Sequence, residues 1–144
     1  MTTKLTNKQT RELLKSFIEG KRLRRYVVRD IVADSDNYSG DTLAERIKAR
    51  LEDVSMGCST GIVSGLVYWS DTEAFYKKFK REIIDLARET ADSMGESLGA
   101  FLSGLHGWED DDPFCEEGSN RNTLAWFAYE EIAFELGNEI ENAL

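Results

Sequence analysis

The sequence predicts an all-α fold, a mainly helical single domain of about five to six helices. Three observations carry that expectation. Apolar residues recur at three- and four-residue spacing along most of the chain, the period of a helix face. A single proline, Pro113, leaves nearly all of it free of helix breakers. Capping residues and glycines sit at the ends of the periodic segments. With 144 residues, 41% apolar and 31% charged, the chain can bury one continuous core and has too much Leu, Ile, Val and Phe to remain unfolded. Residues 1–144 are therefore read as one domain, with basic helices over 1–54 and an acidic portion over 55–144.

The first helix is expected to start at Thr6 or Asn7, either a suitable N-cap, and to carry Leu13, Leu14, Phe17 and Ile18 as far as Gly20. The second, over Lys21 to Val32, places Leu23, Tyr26, Val27 and Ile31 on one stripe, with Val28 beside it, and leaves most of its bases outside. Asp41 or Thr42 caps a third, with Leu43, Ile47, Leu51 and Val54 inward. The stretch from Gly61 to Trp69 is apolar. Glycines at 57, 61 and 65 recur at one-turn spacing and favour a helix, while its Val and Ile leave a short strand over 61–69 open. Ser70-Asp71-Thr72-Glu73 reads as a cap, Asp71 in particular, before the longest helix, whose stripe is Phe75, Phe79, Ile83, Leu86 and Thr90. Gly95 and Gly99 flank a shorter helix that carries Leu98, Phe101, Leu102 and Leu105. An acidic loop around Pro113 follows. The last helix starts near Asn122 or Thr123 with Leu124, Phe127, Ala128, Ile132, Leu136 and Ile140 inward and Glu130, Glu131, Glu135, Glu139 and Glu141 around the rest.

The net charge of −9 is divided unevenly. Residues 1–50 hold 12 Lys and Arg against seven Asp and Glu, whereas residues 91–144 hold 13 acids and one base, Arg121. Such a chain would repel a nucleic-acid backbone everywhere except at a narrow contact. The longest apolar run is about half of the roughly 20 residues a membrane span needs, and the N-terminus lacks a signal-peptide core. The expectation is a soluble, cytoplasmic protein with no membrane association. Two cysteines, Cys58 and Cys115, allow one bridge at most, and reduced thiols fit better.

Chemistry-bearing patterns are sparse. Cys58, Cys115 and the single histidine, His106, lack the CxxC pairing of a zinc site and any local signature of Cys-His catalysis. No glutamate stands three residues before His106, so the di-metal pattern of helical bundles is missing. The glycine series lacks the Lys-Ser/Thr of a phosphate loop. No catalytic residue, metal or cofactor is assigned, and the chain is not read as an enzyme. Two surfaces remain. One is acidic: Trp108, Glu109, Asp110, Asp111, Asp112, Glu116 and Glu117 in the loop, with Glu131 and Glu135 on the last helix, a mixture in which rings give anchor area and charge steers approach. The loop lacks the Asp spacing and later Glu of a calcium-binding EF-hand. The other is basic: Lys21, Arg22, Arg24, Arg25 and Arg29 around Tyr26, which could neutralise phosphates.

Four blocks act as a set: Gly61 through Thr72 (GIVSGLVYWSDT), Phe75-Tyr76-Lys77-Lys78, Asp112-Pro113, and Asn122 through Glu131 (NTLAWFAYEE). Together they resemble an uncharacterised family of small acidic proteins from phages and other mobile elements. The resemblance spans the chain from Gly61 onward and does not reach the first 50 residues. It implies no activity. The setting implies an inhibitor of host defence, binding a CRISPR effector or a restriction nuclease through an acidic surface that competes for a basic groove. The alternative is a small nucleic-acid-associated regulator using the basic helix over 21–29. Oppositely charged ends also make a homodimer possible, although they could equally pair within one molecule.

Overall fold

A computed structural model describes residues 5–55, 69–105 and 119–144. Within them lie six helices and no strand: α1 (Asn7–Ile18), α2 (Arg22–Ser35), α3 (Leu43–Ser55), α4 (Trp69–Ser93), α5 (Leu98–Ser103) and α6 (Ser119–Ala143). The all-α expectation holds. The helix-or-strand alternative and the glycines at 57, 61 and 65 fall outside the described residues, except that α4 is already formed at Trp69. The chain divides into two compact units: residues 1–64 with 130–144, and residues 65–129.

In the first unit, local capping explains where the helices begin. The Gln9 amide donates to Thr6 Oγ1 at 3.1 Å and the Thr6 amide donates to Gln9 Oε1 at 2.9 Å, a reciprocal box that satisfies two otherwise orphaned donors. Thr6 is thus the cap of α1. Asn7 acts elsewhere, its Oδ1 accepting from the Leu43 amide at the start of α3. Thr42 caps α3 by accepting from the Glu45 amide, and Glu45 in turn accepts from the Asp41 amide. Gly20 adopts φ +70 between α1 and α2, a left-handed turn that a side chain resists. The core joins Leu14 and Phe17 of α1, Leu23, Val27, Val28 and Ile31 of α2, Leu43, Ala44, Ile47 and Leu51 of α3, and Ile132, Ala133, Leu136 and Ile140 of α6. Tyr26 is only half-buried, and the side chain of Val54 lies outside the described residues.

One charged residue belongs to this core. Arg50 is 2% exposed and its Nε pairs with Asp34 Oδ2. Asp34 uses its other oxygen to accept from Asn37 Nδ2 at 3.2 Å. A guanidinium removed from water is tolerable only with such a counter-ion.

In the second unit, α4 buries Phe75, Tyr76, Phe79, Ile83, Ala87 and Ala91. Beyond Ile83 the inward positions are Ala87 and Ala91, not the expected Leu86 and Thr90. Phe79 has φ −119 and ψ 21, a break in helical geometry that kinks the helix, and the buried positions keep a four-residue step through it, 75, 79, 83, 87 and 91. Thr90 is instead half-buried, and its hydroxyl donates back to the Leu86 carbonyl at 2.8 Å. α4 stops at Gly95, φ +70, where the Glu96 amide reaches the Ala91 carbonyl and the Gly95 amide the Asp92 carbonyl, the paired bonds of a Schellman end. Ser97 caps α5 through the Ala100 amide, which puts Gly99 inside that helix and not at its edge. α6 begins at Ser119, about a turn before the expected start, and buries Asn120, Thr123, Leu124, Ala125, Ala128 and Tyr129 here. Phe127 is half-buried and stacks edge-on against Phe101 at 5.3 Å. Phe75 meets Phe79 at 5.5 Å and Tyr129 at 6.4 Å. The helix is already running at Trp69, so Asp71 lies within α4 and not at its cap.

Candidate functional site

The residues that could meet a partner in the first unit are carried by α2, α3 and the part of α6 from Glu130 onward. On α2, Arg22, Arg25 and Arg29 fall within about 60° of one another at 100° per residue and are all exposed, as is Lys21 just before them. Arg24 points the other way. Three, four and seven residues before Val27, Val28 and Ile31, it shares their inward face, and it meets α6: Nη2 donates to Glu135 Oε2 at 2.5 Å, Nη1 donates to the Phe17 carbonyl at 3.4 Å, and the guanidinium lies 4.4 Å from the centre of the Phe17 ring. The structure therefore takes one residue from the basic set and one from the acidic set and pairs them. Lys48 of α3 pairs with Glu141, Nζ to Oε1 at 2.5 Å, although neither belongs to the two candidate sets.

The acidic loop, Trp108, Glu109, Asp110, Asp111, Asp112, Glu116 and Glu117, lies outside the described residues, as do Cys58, His106 and Cys115. Glu131 and Glu135 are on α6 as expected. From Glu130 to Leu144 that segment holds five glutamates and no Lys or Arg. Glu135 and Glu141 are engaged by Arg24 and Lys48. Burial pushes the carboxyl of Glu130 above the usual carboxylate range. Burial does the same to Glu131, and the neighbouring charge of Glu135 adds to it. In the second unit, Arg121, the lone base of the acidic third, lies 3.6 Å from Glu73 and 5.5 Å from the Tyr76 ring centre. Burial raises the Tyr76 phenol, an effect Arg121 partly offsets.

Sequence reasoning missed a groove. Lys48, Leu51 and Glu52 of α3 and Ala133, Phe134, Gly137, Asn138 and Glu141 of α6 line a depression of about 180 Å³. Gly137 lines it without a side chain, and a Cβ there would meet Leu51 Cδ1 at 3.7 Å, an ordinary contact. Phe134 stands on its rim, 52% exposed. The signal was present: Phe134 lies opposite Ile132, Leu136 and Ile140 on the helical wheel, an apolar residue in the middle of the glutamate face.

Among the described residues, no three or more His, Cys, Asp or Glu side chains gather as a metal site would require, and no helix is long and apolar enough to cross a membrane. Over the described residues the fold is all-α. The chain belongs to a family described as a domain of unknown function (DUF7222), which matches residues 10–142 and so crosses both units. No curated protein and no solved structure matches it.

Proposed function

We propose that this chain is a non-catalytic binding protein whose last helix presents an acidic face to a positively charged protein, and that it acts as a phage or mobile-element inhibitor of a host defence protein, a CRISPR effector or restriction nuclease. The observation that carries this reading is the charge of α6. Among the described residues, bases engage Glu135 and Glu141, while Glu130, Glu131 and Glu139 have no basic partner. Carboxylates raised by burial and mutual repulsion gain when a cation arrives, so a basic partner is the chemistry that this face favours. The four consecutive acids at 109–112 add to the negative charge of the chain. The defence target itself comes from the motif resemblance and rests on that alone.

The exposed line of Arg22, Arg25 and Arg29 supports a second reading, a small regulator that contacts nucleic-acid phosphates. Affinity capture from a bacterial lysate at low and moderate salt separates the two. A nuclease or effector subunit that is lost with Glu131→Lys and Glu139→Lys, and whose cleavage is suppressed by added wild-type protein, is the expected result. Nucleic acid alone, lost with Arg22→Ala, Arg25→Ala and Arg29→Ala, would replace the inhibitor reading with the regulator.

A further inference from the structure

We propose that the groove between α3 and α6 of the first unit is a docking site for a basic amphipathic helix of a partner protein, which seats one bulky apolar side chain beside Phe134. The proposal rests on the reading of α6 as a protein-binding face and gives that partner its chemistry.

The size of the occupant follows from the volume. About 180 Å³ is a little more than the cavity of roughly 150 Å³ that accepts a benzene ring, so the groove takes one Leu- or Phe-sized group and not a broad apolar surface. Its floor is apolar, formed by Leu51 and Ala133 and opened by Gly137. An exposed phenyl ring at its edge gives the incoming group a second wall, the arrangement of a buried anchor in an interface.

The charge of the occupant follows from the surroundings. On the α6 surface, residues three and four apart are neighbours. Phe134 therefore has Glu130 and Glu131 one turn before it and Asn138 one turn after it, with Glu141, already paired with Lys48, a further turn on. A helix with a central apolar residue and Lys or Arg three and four positions to one side repeats the spacing of Phe134, Glu131 and Glu130 with opposite sign. It brings its bases to the carboxylates while its apolar residue enters the groove. A second copy of this chain is the weaker occupant. Pairing through this face would bring the glutamates of one copy from Glu130 onward against those of the other, and Lys48, the base in the groove lining, is already engaged by Glu141.

The test uses the full chain and a fluorescein-labelled 15-residue helical peptide with a central Leu and Lys at the positions three and four residues to one side, read by fluorescence anisotropy. Two twins serve as controls, one with the Leu replaced by Ala and one with the Lys replaced by Glu. The Leu-Lys peptide should bind at least tenfold more tightly than the Ala twin, and the Glu twin should not bind. Phe134→Ala should weaken the Leu-Lys peptide about tenfold, a change of about 1.4 kcal/mol, without altering the helical circular dichroism, because the ring is half out in solvent. Equal affinity for the Leu and Ala twins, or no effect of Phe134→Ala, overturns the docking site. If that equal binding is lost in Glu130→Gln/Glu131→Gln, the acidic-face reading survives and only the groove fails. Failure of both peptides to bind overturns the groove, while retention of the captured partner by the α6 charge reversals overturns the acidic face. A dimer in sedimentation that Phe134→Ala dissociates would put a second copy in the groove and overturn the choice of occupant.

Discussion

Replacing Asp34 by alanine leaves the Arg50 guanidinium in the core of the first unit with its counter-ion removed, and the structure sets the scale of the damage. Arg50 is 2% exposed and Asp34 26% exposed. Removing one partner of a buried ion pair costs about 3–5 kcal/mol, because the remaining charge has lost both water and its neighbour. Water can enter from the side that Asp34 exposes, which puts Asp34→Ala near the lower end, about 3 kcal/mol. Loss of the Asn37 hydrogen bond is a minor addition at an exposed site. In thermal unfolding this is a drop in Tm on the order of 10 °C for a chain of this length, and in urea a lower midpoint at unchanged slope. The informative comparison is Arg50→Met. It removes the charge and keeps an unbranched stem of similar reach, so its cost should stay within about 1.5 kcal/mol. Adding Asp34→Ala to Arg50→Met should then cost little, since no buried charge is left to strand. Two results would refute the reasoning: Asp34→Ala within 1 kcal/mol of the parent, the scale of a surface pair, or Arg50→Met as damaging as Asp34→Ala.

Arg24→Ala removes the Glu135 pair and the contact with the Phe17 ring, both partly exposed, and should lower stability by about 1 kcal/mol; Arg24→Lys should recover little of it, because an ammonium does not keep the planar stacking geometry. Gly95→Ala should cost about 1 kcal/mol through its left-handed φ alone, since open space surrounds the site. Gly40→Ala should cost about 1–3 kcal/mol through collision, since its Cβ would lie 2.9 Å from Glu45 Cβ and 3.0 Å from the Arg46 nitrogen; urea midpoints check all three. Because Glu130 and Glu131 have carboxyls raised in the folded state, the native protein holds more protons than the unfolded chain just above the ordinary carboxylate range. Stability must therefore fall as pH rises through that window, and Glu130→Gln/Glu131→Gln should flatten the slope and raise stability at neutral pH. A slope unchanged in the double variant would be the contrary finding.

Helix ends were the most legible part of the fold. Thr6, Thr42, Gly20 and Gly95 act through bonds to residues one turn away, and such short-range chemistry is written in adjacent letters. The errors arose where a longer-range effect decided. The buried stripe of α4 runs on in four-residue steps from Ile83 to Ala87 and Ala91, and the apolar pattern, which favours the larger Leu86, does not mark it. The Gly99 boundary is a different case: Ser97 caps α5 through a bond only three residues long, short-range chemistry of the same kind as Thr6, and so makes Gly99 an interior residue. The candidate site divides in the same way. That α6 is acidic and α2 basic is plain from counting charges. That Arg24 meets Glu135, 111 residues away, is not.

Two kinds of exception to the hydrophobic pattern turn out to carry the information. A base on an apolar stripe is the first. Arg24 shares the face of Val27, Val28 and Ile31, and Arg50 lies three residues after Ile47 and seven after Leu43; each has an acid waiting, because the stripe draws it out of water and an unpaired charge there would be too costly. An apolar residue on a charged face is the second. Phe134 gains nothing by standing among Glu130, Glu131 and Asn138 with half its surface in solvent, and the described residues do not cover it. The first kind shows which charges are engaged within the molecule and so are withdrawn from any partner: Arg24 is subtracted from the basic patch, and Glu135 and Glu141 from the acidic face of α6. The second shows where contact with a partner would recover apolar burial that folding leaves undone. Applied together, they narrow a diffuse opposition of acidic and basic ends to Glu130, Glu131 and Glu139 around one exposed ring on α6, and to Arg22, Arg25 and Arg29 on the outer face of α2.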